Sequence, residues 1–176
     1  MWYLVTTKKA AGLPWPPALC YDRSMDSRYD TDLLVWSEEQ ARALRAAAHE
    51  GSDAPIDWEH VAEEIESLGA AERPVLASHI GTVIEHLLKL QASPATAPER
   101  GWRDSIRRAR RDIERLLAAS PSLRREVSHM IDDETIAARS LVLASLADYD
   151  ERPLIDIAGA TYSEEQVLGE WMPERR

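Results

Sequence analysis

The run Ile56-Asp57-Trp58-Glu59-His60-Val61-Ala62-Glu63-Glu64-Ile65-Glu66-Ser67-Leu68-Gly69 constrains this chain more than any other stretch. Trp58, Val61, Ala62, Ile65 and Leu68 recur at helical spacing and line one side of a helix. A helix this short is marginal in water, so other elements are expected to cover that side. Both ends are marked. Asp57 can accept from the free N–H groups of the first turn, and its charge suits the positive end of the helix dipole. Ile56 and Val61 stand at the positions of a hydrophobic staple. Gly69 sits where a left-handed C-cap would go. Beside the apolar side runs an acidic stripe of Glu59, Glu63 and Glu66, and His60 and Glu64 form a second stripe one turn apart. The rest of the chain is expected to supply helices that cover the apolar side and answer the acidic one.

Further helices follow from the same rules. Residues 29–36 read as a helical turn or two. Ser37-Glu38-Glu39-Gln40 is a capping-box pattern that opens a helix running to about His49. Leu76, Ile80, Val83, Ile84, Leu87, Leu88 and Leu90 predict a mostly buried helix from about Ala71 to the break at Ser93-Pro94. Trp102, Ile106, Ala109, Ile113, Leu116 and Leu117 share one side of a helix over 99–119. Ser120-Pro121 caps a long helix to about Ala147, with Leu123, Val127, Met130, Ile131, Ala138, Leu141 and Val142 inward. Residues 148–161 are irregular, and Ser163-Glu164-Glu165-Gln166 caps a last short helix through Leu168. No stretch alternates like a strand. The predicted fold is all-α: an antiparallel bundle of about five main helices with short terminal helices, and Trp58 and Trp102 in its core. It occupies residues 26–176 as a single helical domain. Residues 1–25 form an irregular extension rich in Pro and Trp, where Gly12-Leu13-Pro14-Trp15-Pro16-Pro17 forbids regular structure. Met25 follows directly and offers an alternative start of translation. Packing of Trp2 and Trp15 on the bundle is the rival reading.

Charge is distributed unevenly along a chain of net charge −10. Residues 53–72 hold seven acids and no Lys or Arg, whereas residues 97–125 hold nine Arg and four acids. Such runs read as solvated faces or as internal partners, with an acidic and a basic helix side by side. The overall sign opposes coating of nucleic acid. Cys20 is the one cysteine, which excludes an intrachain disulfide and a Cys-rich zinc site, and a reducing cytoplasm is the expected compartment. No segment approaches the roughly 20 apolar residues of a membrane span.

Chemistry-bearing patterns are sparse. His79 and His86 lie seven apart, roughly 10 Å along a helix, too far for one ion. A metal would need His86 together with Glu63, Glu64 or Glu66 from a helix packed alongside. The chain lacks His-x-x-x-His, so no metal or other cofactor is expected. It also lacks Gly-x-Ser-x-Gly and any glycine-rich phosphate loop, which argues against an enzyme of those classes. On the Arg-rich helix, Arg103, Arg107, Arg110 and Arg111 fall on or near one side, and Arg108 and Arg115 on another. That helix could follow a phosphate backbone, yet it interleaves no aromatic with its basic face and pairs internally with Asp104, Asp112 and Glu114.

These motifs together resemble a bacterial family of domains of unknown function, number twenty-nine in that series. The resemblance rests on Tyr29-Asp30-Thr31-Asp32, Trp36, the Ser37 to Gln40 cap and the run Asp57 to Gly69. It continues through His86-Leu87-Leu88-Lys89, Trp102-Arg103 and Ser120-Pro121-Ser122-Leu123. Val61 replaces a usual Leu, Ala70-Ala71 an Arg-Ser, and Leu90 a frequent Trp, and no Cys-Pro precedes Tyr162. The resemblance implies an all-helical bundle and brings no activity with it. The expected function is therefore a protein–protein interaction module acting through charged faces, toward an unknown partner or a second copy. Glu59, Glu63, Glu66, Arg103, Arg107 and Arg110 are its contact residues. The alternative is a small enzyme or metal protein centred on Glu63, Glu66 and His86. A lesser alternative is nucleic-acid binding through residues 99–119.

Overall fold

The computed structural model describes residues 28–51 and 54–174. The extension at 1–25, and with it the choice between Met1 and Met25, lies outside them. The described residues form α1 (Leu33–His49), α2 (Trp58–Ala70), α3 (Glu72–Ala92), α4 (Glu99–Ala119), a 3-10 turn (Pro121–Glu126), α5 (Val127–Asp148) and α6 (Glu164–Leu168). They contain no strand.

The organising helix is α3. Leu76, Ile80, Val83, Ile84, Leu87 and Leu88 are all fully buried. At roughly 1.5–3 kcal/mol for each such side chain, they make the largest contribution of any one helix to the buried core. Helices α4 and α5 pack on either side of α3. Helix α5 runs parallel to α3, with α4 as the crossover between them. Arg73 at the start of α3 meets Glu126 at the start of α5, and Ser93 just past the end of α3 meets Glu151 just past the end of α5.

Helix α2 plays a smaller part than its sequence foretells. It packs antiparallel on α1 and meets α3 only near their shared junction at Ala71. Only Ala62 and Gly69 of α2 are buried. Val61 is 39% exposed and Leu68 54% exposed, so the downstream helices do not cover the apolar side. Gly69 makes no left-handed cap; it lies within the helix, and the described glycine with a positive φ is Gly51. A Cβ on Gly69 would meet Ser37 of α1, so the glycine serves close helix approach.

Three other expectations shift for local reasons. Helix α1 begins at Leu33, before the pattern at Ser37, because the Asp32 side chain accepts from Val35 N and the helix runs straight through Ser37. The segment after Ser120 opens as a 3-10 turn, in which Leu123 N donates to Ser120 O and Ser122 N to Asp32. Trp58 and Trp102 are half-buried rather than core residues, and Leu141 points outward at 58% exposure. The Asp57 cap and the Ser163–Gln166 capping box form as predicted.

Candidate interaction surface

The acidic stripe of α2 is answered from upstream, not by the Arg-rich helix. Arg45 of α1 donates to Glu59 at 3.0 Å and to Glu66 at 2.9 Å. These two hydrogen bonds raise the Arg45 pKa above its ordinary value, the Glu59 bond first. Glu63 stays exposed on α2. Sequence reasoning missed Arg45, although its place in the helix just before the acidic run was a usable signal.

The metal grouping does not assemble. Because α2 lies on α1, Glu63 and Glu66 are not packed against the α3 face that carries His86. His86 Nδ1 is 2.8 Å from Thr82 O of its own helix, and Glu66 is held by Arg45. Among the described residues no group of three or more His, Cys, Asp or Glu could hold an ion.

Helix α4 sorts its arginines by the period of the helix. Ile106, Ala109, Ile113 and Leu117 face the core. Arg107, Arg108, Arg111 and Arg115 face solvent, and Arg103 is half-buried. Two of these have internal partners: Arg107 donates to Asp104 at 2.9 Å and Arg115 to Asp112 at 3.4 Å. Arg108, Arg111 and Arg124 make no ion pair among the described residues.

Arg110 differs from its neighbours. It turns toward the C-terminal segment, where Nε donates to Val167 O at 2.9 Å and Nη2 to Gln166 O and Trp171 O, both at 2.7 Å. It is therefore not the exposed contact expected from its place in the sequence. Burial lowers its pKa, and the nearby charge of Glu170 acts in the opposite direction. By holding residues 166–171 against α4, Arg110 fixes one wall of a groove of about 1030 Å³. Its opposite side is α4 itself, with Arg107 and Arg111 along it.

Residues 28–171 match the family described as Domain of unknown function DUF29. The chain belongs to this family. No curated protein matches it. An alpha-helical protein of unknown function from Rhodospirillum rubrum, known by its crystal structure, is 26% identical with a TM-score of 0.66. The match covers 81% of this chain and 89% of that one. No helix among the described residues is long and apolar enough to cross a membrane.

In this DUF29 chain the motifs that carry the resemblance hold helices together. Asp32 of the first motif caps α1 and also accepts from Ser122 N at 2.8 Å and Ser122 Oγ at 2.9 Å, in the Ser-Pro-Ser-Leu motif. Ser37 of the second motif meets Gly69, which closes the third. Leu87 and Leu88 of His-Leu-Leu-Lys are core residues. Lys89 of that motif bridges to Glu85 at 2.6 Å. The Arg face of α4 and its groove are less completely spent on such contacts.

Proposed function

We propose that this protein is a protein–protein interaction module acting through charged helix faces, with the outer face of α4 as its main contact. The observation that carries this reading is a cluster of exposed arginines, Arg108, Arg111 and Arg124, that make no ion pair among the described residues, on a chain of net charge −10. Uncompensated charge of one sign on a surface of the other sign steers a complementary partner and fixes its orientation. Arg103 and Arg107 stand beside Arg108 and Arg111 on α4, and Arg124 lies in the 3-10 turn that follows. Glu63, and the outer edges of Glu59 and Glu66, form a second, acidic face on the α1–α2 pair. Internal pairing leaves Arg110 a structural role behind the face.

The test is purification of the tagged protein from its native cell, with and without nuclease, beside an Arg107→Glu/Arg111→Glu variant. The expected outcome is a stoichiometric protein partner that survives nuclease and is lost with the charge reversal. Recovery that is unchanged by the reversal would remove α4 from the interface. Recovery abolished by nuclease would replace a protein partner with nucleic acid.

A further inference from the structure

We infer that the groove between α4 and the C-terminal segment is a docking site for an acidic peptide segment that carries an apolar anchor. This rests on the interaction reading above and adds the site and the chemistry of the partner. At about 1030 Å³ the groove reaches the upper end of small-molecule pockets, a size that suits several residues of peptide. Its floor is apolar: Ile113 and Leu117 from α4, Leu168 and Met172 from the segment opposite. Ala118 of α4 also lines the groove.

The rim is basic once internal pairs are set aside. Asp104 is taken by Arg107, and Glu170 lies near the half-buried guanidinium of Arg110. What remains is Arg108, Arg111 and Arg124 against Glu114. Guanidinium forks take carboxylates in a bidentate manner, which favours Asp and Glu side chains flanking the anchor. A leucine-sized anchor would displace water from the floor, and such buried anchors carry most of the affinity of small interfaces. Nucleic acid fits less well, because its backbone has nothing to place on an apolar floor and the net charge of −10 repels it at long range.

The experiment is fluorescence polarisation of the full chain with labelled peptides of about a dozen residues. One peptide is Glu-rich with two leucines a helical turn apart; its control has serine in place of leucine. A single-stranded oligodeoxynucleotide of equal charge is the third probe. The Glu/Leu peptide is expected to bind at least about tenfold more tightly than either control, and binding should weaken as salt rises. Ala118→Trp, which fills the groove without removing charge, and Arg111→Glu/Arg124→Glu should each weaken it by about tenfold. Equal binding of the two peptides, tighter binding of the oligonucleotide, no binding at all, or indifference to Ala118→Trp would each overturn the inference. If the native partner is lost with Arg107→Glu/Arg111→Glu yet retained by Ala118→Trp, the interaction module stands and the groove does not.

Discussion

A Cβ added to Gly69 would lie 2.0 Å from Oγ of Ser37, 3.0 Å from its Cβ and 3.1 Å from the Cα of Leu34. The first contact could be relieved by turning a hydroxyl, but the other two require α1 and α2 to separate. Gly69→Ala gains up to about 1 kcal/mol of helix propensity, less so near the helix end. Overpacking costs about 1–3 kcal/mol. The second effect wins, so Gly69→Ala is expected to destabilise the protein by about 1–2 kcal/mol in urea denaturation. Ser37→Gly in the same chain should recover part of that loss, since the two changes share one contact. Additive losses would place the strain elsewhere.

The Asp32 carboxylate serves two elements at once. It accepts from Val35 N at 3.1 Å at the start of α1, and from Ser122 N and Oγ in the 3-10 turn. Losing one helix cap costs about 0.5–2 kcal/mol, and here a second terminus loses its acceptor too. Asp32→Ala is expected to cost about 2–4 kcal/mol, and Ser122→Ala about 1 kcal/mol because its N–H keeps the acceptor. Equilibrium unfolding of the two variants tests the ratio. Equal losses would mean that neither backbone bond, from Val35 N or from Ser122 N, contributes.

Legibility in the sequence followed the range of each interaction. The Asp57 cap, the Ser163 capping box, the bounds of α4 and the buried face of α3 are local or periodic, and all were readable. Gly69 was misread because a glycine at a helix end suits a C-cap or a close approach equally, and the choice depends on Ser37, 32 residues away. Likewise, the apolar side of α2 was visible but not its partner. The larger burial of α3 gathers α4 and α5, which leaves Val61 and Leu68 in solvent. At the candidate site, the count of arginines was legible, but the inward turn of Arg110 depends on carbonyls more than 50 residues on. The groove has no sequence signature, since its floor joins α4 to a segment that only tertiary packing brings near.

The pair at the start of α2 should give the helix a pH profile. Asp57 Oδ2 lies 2.6 Å from His60 Nδ1, and its Oδ1 accepts from His60 N. The side-chain hydrogen bond is the main cause of both shifts: it raises the His60 pKa and lowers that of Asp57. The histidine's contribution is complete below about 6.5 and is lost as pH rises through its raised value. The aspartate's contribution is present above about 3.9 and is lost as pH falls through its lowered value. Protection of the α2 amides from exchange should therefore be greatest in mildly acidic solution. His60→Gln should remove the alkaline side and weaken the acid side, where Asp57 keeps the backbone bond from residue 60. Both groups are largely exposed, so molar salt should shrink the effect. A His60 titration by NMR at or below the ordinary histidine value would contradict the pairing.

Arg110 separates architecture from recognition on α4. Its guanidinium fork spans three carbonyl oxygens of the C-terminal segment, and hydrogen bonds to a charged group are worth about 1.5–3 kcal/mol each before losses are shared. Arg110→Ala is expected to cost about 2–4 kcal/mol and to open residues 166–171 to proteolysis. Arg110→Lys should recover less than half, because a point charge cannot reach three acceptors set apart. Arg107 is the control: it is exposed and its partner Asp104 is one turn away, so Arg107→Ala should change stability by less than about 0.5 kcal/mol. Thermal unfolding with limited proteolysis reads both. If Arg110→Ala were as silent as Arg107→Ala, the carbonyls would be satisfied by water and the groove wall would not depend on the arginine. If it is costly as expected, loss of partner binding in an Arg110 variant reports a collapsed wall, and the exposed arginines Arg107, Arg108, Arg111 and Arg124 report on recognition itself.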